Sequence, residues 1–395
     1  MEQINLLFRP YTQAPDPDRI DVLDGVRALC VFLVGWYHIW QQGWLTPTFL
    51  LGNHVVSLDF LLRSGYIWVD GMLLLSGFLL YLPYANAKKN PKILPFYQRR
   101  LIRILPSYLL CILPLFILAC ARGEYASAGD AAKDLAAHLT FTHTLFPFNY
   151  QGTPLNGALW TLGVEMQFYL LFPFLARAFK KWPLITYALM AGAAFAFRAW
   201  AGQQADTSMY FNQLPAFLDV YANGFVAAAA YQSLRKKLGD GVWEKKIKLV
   251  FTVMFLLCLF QLVAIAQGQA ASNGYDAIRQ GQMDRRFGLS VTLCVALISA
   301  ACSLPTLRFL LGNKLMHFLS TISFQFYIYH QLLAVKLKEW HLPPSALPDP
   351  FMNDPAWRLP YTLLCFATAL IVATVVTYVF ERPVARLFKR KLGGK

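Results

Sequence analysis

Charge is what this sequence has least of. Asp, Glu, Lys and Arg make up only 14% of the 395 residues, and acids are the scarcer sign, 21 against 36 bases. A soluble domain carries roughly 25% charge, so a soluble or disordered chain is excluded. The seven cysteines form no C-x-x-C pair, and no Cys/His spacing suits zinc, so no metal is expected. The first 26 residues, broken by Pro10, Pro15 and Pro17, contain no apolar stretch of the signal-peptide kind, and the N-terminus is expected to be retained. No repeat of 20–50 residues and no matched pair of broken helices marks a solenoid or an inverted-repeat transporter.

What is abundant is apolar length. Hydrophobic residues make up 57% of the chain, and runs near the ~20 residues a helix needs to cross hydrocarbon recur throughout. They are read at 26–45, 64–85, 104–121, 157–177, 183–201, 213–234, 247–268, 286–305, 315–337 and 359–380. The expected fold is therefore an all-α polytopic membrane protein of about ten transmembrane helices. A segment 1–25 precedes the membrane domain 26–380, and a basic tail 381–395 follows it. With both termini on one side, 26 of the 36 basic residues fall in loops facing that side. The positive-inside rule then makes both termini cytoplasmic and turns the 122–156 and 336–358 loops outward. Topology accounts for the formal charge of +15, and no nucleic-acid partner is expected.

Charged side chains at membrane depth cost at least ~2.5–3.5 kcal/mol, so each one inside a span is a functional candidate. In the first span, Arg27 and His38 are eleven residues apart. That places His38 about 16 Å further along the helix and about 20° around it, on nearly the same face. His38 alone reads as a histidine hydrogen-bonded between helices, and Arg27 alone as a side chain reaching lipid headgroups; the two together favour function. Asp70 in the second span and Glu165 in the fourth must be protonated, paired or hydrated. Either carboxylate could orient the His38 imidazole, or form an interhelical ion pair with Arg63 or Arg198. Arg100 and Arg103, at i and i+3 before the third span, share a face suited to gripping phosphate or anionic lipid. His54, His138, His143, His317 and His341 lie in loops or at span ends and carry no assignment.

Taken in order, four segments resemble the acyltransferase-3 family of integral membrane carbohydrate O-acyltransferases over nearly the whole chain. They are Arg27 through His38 (R-x10-H), Asp70 with Leu75-Ser76-Gly77-Phe78-Leu79, Arg100 through Arg103 with Ile104 and Pro106 (R-x-x-R-I-x-P), and Trp160 through Tyr169. Fainter likenesses are Leu214 through Gly224, Ser323 through His330, and Phe380-Glu381-Arg382-Pro383. The sequence departs from the family pattern at Gly71-Met72-Leu73, where an aromatic stretch is usual, and at Thr161, where serine is common. The esterase-like soluble domain fused to some relatives is not recognised, so transfer is expected to finish in the membrane domain.

The resemblance implies transfer of an acyl group, acetyl foremost, from acetyl-CoA or another acyl-CoA on the cytoplasmic side. The acceptor it implies is a hydroxyl of a surface glycan, glycolipid or lipid-linked sugar, at a bacterial inner membrane whose lipids surround the protein. His38 is the implied catalytic residue, either as general base or as acyl carrier, with Asp70 and Glu165 as candidate partners. Arg27, Arg100 and Arg103 would hold the nucleotide phosphates, the 16 Å to His38 being spanned by the pantetheine arm. Tyr169 and His330 are candidates for the acceptor path, and the outward loops for acceptor specificity. A proton-coupled transporter or flippase would use His38, Asp70 and Glu165 as a relay instead.

Overall fold

The computed structural model describes residues 20–87, 90–237 and 242–391. Most of the expected N-terminal segment (1–19) and the end of the expected tail (392–395) lie outside them. The chain is a bundle of long helices: α1 Val22–Gly43, α2 Trp68–Ala85, α3 Ile93–Ala121, α4 Ala128–Leu139, α5 Trp160–Lys181, α6 Pro183–Ala201, α7 Leu218–Lys237, α8 Val242–Ala270, α9 Tyr275–Ala301, α10 Pro305–Gly312, α11 Lys314–Glu339 and α12 Pro355–Val375. A π-helical stretch, Val376–Glu381, carries α12 into a final helix, Arg382–Lys391, so the residues expected as a tail begin as helix. Strand structure among the described residues is one exposed hairpin, Thr48–Leu51 paired with His54–Ser57.

Among the described residues, seven helices are long and apolar enough to cross a membrane by length and composition, or eight if a bent pair counts as one span. The bent pair is α9 and α10, which turn by 112° around Pro305, so the expected 286–305 span instead runs Tyr275–Ala301 and then breaks. Two further expected spans form long helices, α7 and α11, that fall outside that set. They carry buried polar groups, Asp219 and Asn223 on α7 and Gln325 and His330 on α11, which lowers their apolarity because they face protein rather than lipid. By contrast α6 and α8 expose Leu184, Leu189, Leu257 and Phe260 broadly, as lipid-facing helices do. Helix α3 starts before the expected 104–121 span and takes Arg99, Arg100 and Arg103 into its first turns.

Two glycines let α2 and α7 approach closely. A Cβ on Gly224 of α7 would lie 2.5 Å from the Leu74 carbonyl oxygen of α2, and one on Gly77 would lie 2.8 Å from that of Tyr221. Lipid tails give helices no hydrophobic drive to associate, so close backbone approach through small residues supplies the van der Waals contact. The stack of Phe168 on Tyr221, with ring centroids 3.5 Å apart, ties α5 to the same pair. Helix α1 packs along α11, with Phe32 stacked on Phe326 at 4.2 Å. This packing brings the polar faces of α1 and α11 together.

Candidate functional site

One face of α1 runs through two cavities. Arg27, Val31, Val34 and His38 follow one another at i, i+4, i+7 and i+11, the spacing of a single helical stripe. Arg27 and Val31 line an inner cavity, together with Ser76, Arg100, Glu165 and Tyr169. Val34 and His38 line a second cavity toward the hairpin end. At the opposite end the inner cavity adjoins a vestibule, with which it shares Arg27, Arg100, Arg103, Ser323 and Phe324.

The vestibule is rich in arginine. Arg27, Arg99, Arg100, Arg103 and Arg382 line it against two carboxylates, Asp24 and Glu381. Among the described residues Arg27, Arg100 and Arg103 take part in no ion pair, so their N–H groups are free for a ligand. Arg100 lies over the rings of Phe96 and Tyr169, 5.5 and 5.7 Å from their centroids, which holds the guanidinium plane without consuming its donors. Its Nε is buried and unpartnered. The expected pairing of Arg100 and Arg103 on one face stands in the structure, and Arg27 joins them from α1.

His38 has a partner, and it is not a carboxylate. Its Nδ1 lies 2.8 Å from Nε2 of His330 on α11. The other nitrogen of His330, Nδ1, lies 2.8 Å from the carbonyl oxygen of Tyr327 and 3.1 Å from that of Phe326. Carbonyl oxygens only accept, so His330 carries its proton on Nδ1 and presents a bare Nε2. His38 must then donate from Nδ1, which leaves its own Nε2 with the lone pair. His38 is half-buried and lines the second cavity. A free imidazole nitrogen of fixed tautomer beside a cavity is the arrangement a general base or a nucleophile needs.

The two carboxylates expected near His38 are engaged elsewhere. Asp70 is fully buried and pairs with Arg286 of α9 at 3.2 Å, not with Arg63 or Arg198. Arg286 also donates to the Phe211 carbonyl at 2.8 Å and lies over the Phe217 ring at 3.9 Å. Arg198 instead grips Asp219 in a two-point pair of 2.9 and 2.6 Å. Glu165 accepts from Ser76 at 2.8 Å and from the Tyr169 hydroxyl, inside the cavity that Arg27, Arg100 and Arg103 enter. Neither carboxylate hydrogen-bonds His38, so the relay of His38, Asp70 and Glu165 is not assembled among the described residues.

The walls of the second cavity were not legible as a motif. They are aromatic and polar: Tyr37, Tyr66, Trp160 and Tyr275, with Asn212, Gln282 and Arg279. These come from the 207–217 loop, the start of α9, the turn before α2 and the ends of α1 and α5, whereas the 122–156 and 336–358 loops contribute none of the lining residues. Arg279 is balanced by Asp206 at 3.1 Å. The 122–156 segment instead buries its own polar cluster. Asp134 accepts from Tyr125, Asn149 and Thr153 at 2.8 to 2.9 Å and faces His138 at 3.2 Å. His138 stacks on His143 at 4.4 Å, and burial, then the neighbouring His138, pushes His143 down to about 3. No group of three or more His, Cys, Asp or Glu side chains that could hold a metal is found among the described residues.

A helical membrane bundle with an arginine vestibule, an inner cavity and a tautomer-fixed histidine beyond it defines an integral membrane protein with an internal site. The chain belongs to the acyltransferase-3 family, whose profile, described as an acyltransferase domain, matches residues 20–379. The resemblance carried by the four sequence segments is thus borne out. Among similar proteins are the O-acetyltransferase OatA of Staphylococcus aureus (strain NCTC 8325 / PS 47), 28% identical over 189 residues, and the acyltransferase MdmB of Streptomyces mycarofaciens, 29% identical over 171. The matches cover 44% and 42% of this chain, and the chain spans 28% of the length of OatA and 41% of that of MdmB. No solved structure matches the chain.

Proposed function

We propose that the protein is a multi-pass O-acyltransferase of a bacterial inner membrane, moving an acetyl group from acetyl-CoA to a hydroxyl of a glycan or lipid-linked sugar. The observation that carries the reading is the α1 stripe, which leads from the arginine vestibule at Arg27 to the unpartnered Nε2 of His38. The coenzyme's phosphates match Arg27, Arg100 and Arg103, which lie in a low-dielectric mouth where charge-assisted hydrogen bonds are strong. In this reading all ten long helices cross the bilayer, the arginine end faces the cytoplasm, and both described chain ends meet there, Asp24 and Glu381 lining one vestibule.

His38 then serves one of two balanced schemes. As base, its Nε2 takes the acceptor hydroxyl proton while the oxygen attacks the thioester carbonyl. The C–S bond breaks, a C–O bond forms, and the proton goes on to the coenzyme thiolate. As carrier, Nε2 takes the acetyl group itself as the C–S bond breaks and the coenzyme leaves as thiolate; the acceptor oxygen then displaces the acetyl from the ring, and the hydroxyl proton it sheds goes to the thiolate. Glu165, held by Ser76 and Tyr169, belongs to the donor side, where its charge offsets the arginines in the absence of coenzyme. The aromatic and amide lining around Trp160, Asn212 and Gln282 suits the apolar faces and hydroxyl edges of a sugar.

The test is acceptor-dependent thiol release. Purified protein in nanodiscs, given [¹⁴C]acetyl-CoA and an envelope fraction, should free coenzyme thiol and move label into glycan or glycolipid, and His38→Ala should do neither. A fully active His38→Ala variant overturns the assignment of His38, and wild-type protein that moves no label overturns acyl transfer. Mass spectrometry of surface glycans with and without the gene identifies the acceptor.

A further inference from the structure

The inner and second cavities share a single lining residue, Val69 at the start of α2. On α1 the boundary between them falls between Val31 and Val34, and on α5 between Trp160 and Thr161. Val69 therefore stands at the level where one cavity gives way to the other. The surface facing this level is stiff. Tyr327 of α11 lines the inner cavity there, and its hydroxyl donates to the Ala158 carbonyl at 3.1 Å and accepts from Thr161 at 2.8 Å, so the ring is pinned at its far end. Val69 is itself 3% exposed, and a β-branched side chain in a helix keeps essentially one rotamer, so it cannot swing aside as a leucine or methionine would.

We propose that Val69 sets the size of the acyl group this protein transfers, by forming the fixed edge of the passage between the arginine-lined cavity and His38. The inference rests on the reading that an acyl thioester enters from the vestibule and reacts at His38. Phosphates stay at the arginines, the pantetheine arm follows the α1 stripe, and only the thioester carbonyl and its acyl tail have to pass Val69. A methyl tail passes a valine and the pinned tyrosine, whereas each added methylene must be fitted against side chains that do not yield.

Acyl transfer to an envelope fraction, measured with [¹⁴C]acetyl-, propionyl- and butyryl-CoA in nanodiscs, tests this directly. Wild-type protein should favour acetyl over butyryl by at least about tenfold in kcat/KM. Val69→Ala should bring that ratio down about tenfold or more, and Val69→Ile should raise it. The two variants act in opposite directions, so a folding failure in one leaves the other decisive. Wild-type protein that uses butyryl-CoA as well as acetyl-CoA, or an unchanged ratio in a folded variant, overturns the role of Val69 while leaving acyl transfer standing. Wild-type protein that transfers none of the three labels overturns the underlying reading, and this one with it.

Discussion

His38 and His330 are joined nitrogen to nitrogen across 2.8 Å, although 292 residues separate them in the chain. The bond does for an imidazole what a buried carboxylate does in a hydrolase triad, fixing tautomer and orientation, but without a negative charge to stabilise an imidazolium. His330 is a positioning residue here, held from behind by the carbonyls of Tyr327 and Phe326. Replacing it with alanine frees the His38 ring to rotate and to adopt the other tautomer. His330→Ala is expected to lower kcat by about 10²-fold or more, within the range that general-base positioning contributes, with the KM for acetyl-CoA unchanged. His330→Gln, whose amide oxygen can still accept from Nδ1, should recover part of the loss. Steady-state thiol release over a range of acetyl-CoA concentrations separates the two parameters.

Arg100 and Arg103 predict the complementary kinetic signature. Their guanidiniums line the vestibule without an ion pair among the described residues, so removing either one subtracts ligand contacts and breaks no internal bridge. Arg100→Ala and Arg103→Ala are each expected to raise the KM for acetyl-CoA by about 10- to 100-fold, the loss of a charge-assisted hydrogen bond of roughly 1.5–3 kcal/mol, with kcat nearly kept. Raising the ionic strength should raise the wild-type KM in the same direction, because salt screens the attraction. An unchanged KM in both variants would remove them from the donor site.

The Arg27 to His38 stripe could be read from sequence because helix geometry alone puts eleven residues at nearly whole turns. The i, i+3 pairing of Arg100 and Arg103 was readable for the same reason, once any helix covered them. Long-range pairing was not readable. Nothing local distinguishes His330 as the partner of His38, and Asp70 found Arg286, a residue that apolar-length reading had placed at a span boundary. The structure seats Arg286 inside α9 and fully buried, its charge met by Asp70 and its Nη1 by the Phe211 and Ala216 carbonyls, while Nη2 is buried without a hydrogen-bond partner among the described residues. The walls of the second cavity were missed because Asn212, Tyr275 and Gln282 come from segments with no motif of their own, joined only by packing.

Asp70 and Arg286 make a prediction that separates a structural clasp from a proton relay. Both side chains are essentially inaccessible, and Arg286 reaches from Asp70 to the Phe211 carbonyl beside the second cavity. Breaking a buried pair by removing one partner costs about 3–5 kcal/mol, because the other charge is left stranded, whereas replacing both by apolar groups is often neutral. Asp70→Leu is therefore expected to lower the midpoint of thermal unfolding strongly, and Asp70→Leu combined with Arg286→Met to recover most of it. Acetyl transfer per folded molecule should survive in the double variant. A relay would show the reverse, with folding intact and turnover lost.

The buried histidine pair in the 122–156 segment makes stability depend on pH. His143 is held down to about 3, first by burial and then by His138, which stacks on it and faces Asp134. Its folded value lies below its unfolded one, so the unfolded chain binds the extra proton. The contribution is complete above the ordinary histidine value near 6.5 and is lost as pH falls toward 3. From pH 7 to pH 5 the cost is about 2 kcal/mol. Asp134 adds nothing across that window, since hydrogen bonds from His138, Asn149 and Thr153 outweigh its own burial and keep it below the usual carboxylate range. His143→Phe, which keeps the stack and removes the titration, should flatten the fall of the unfolding midpoint between pH 7 and pH 5. Parallel slopes for the two proteins would place the acid sensitivity elsewhere.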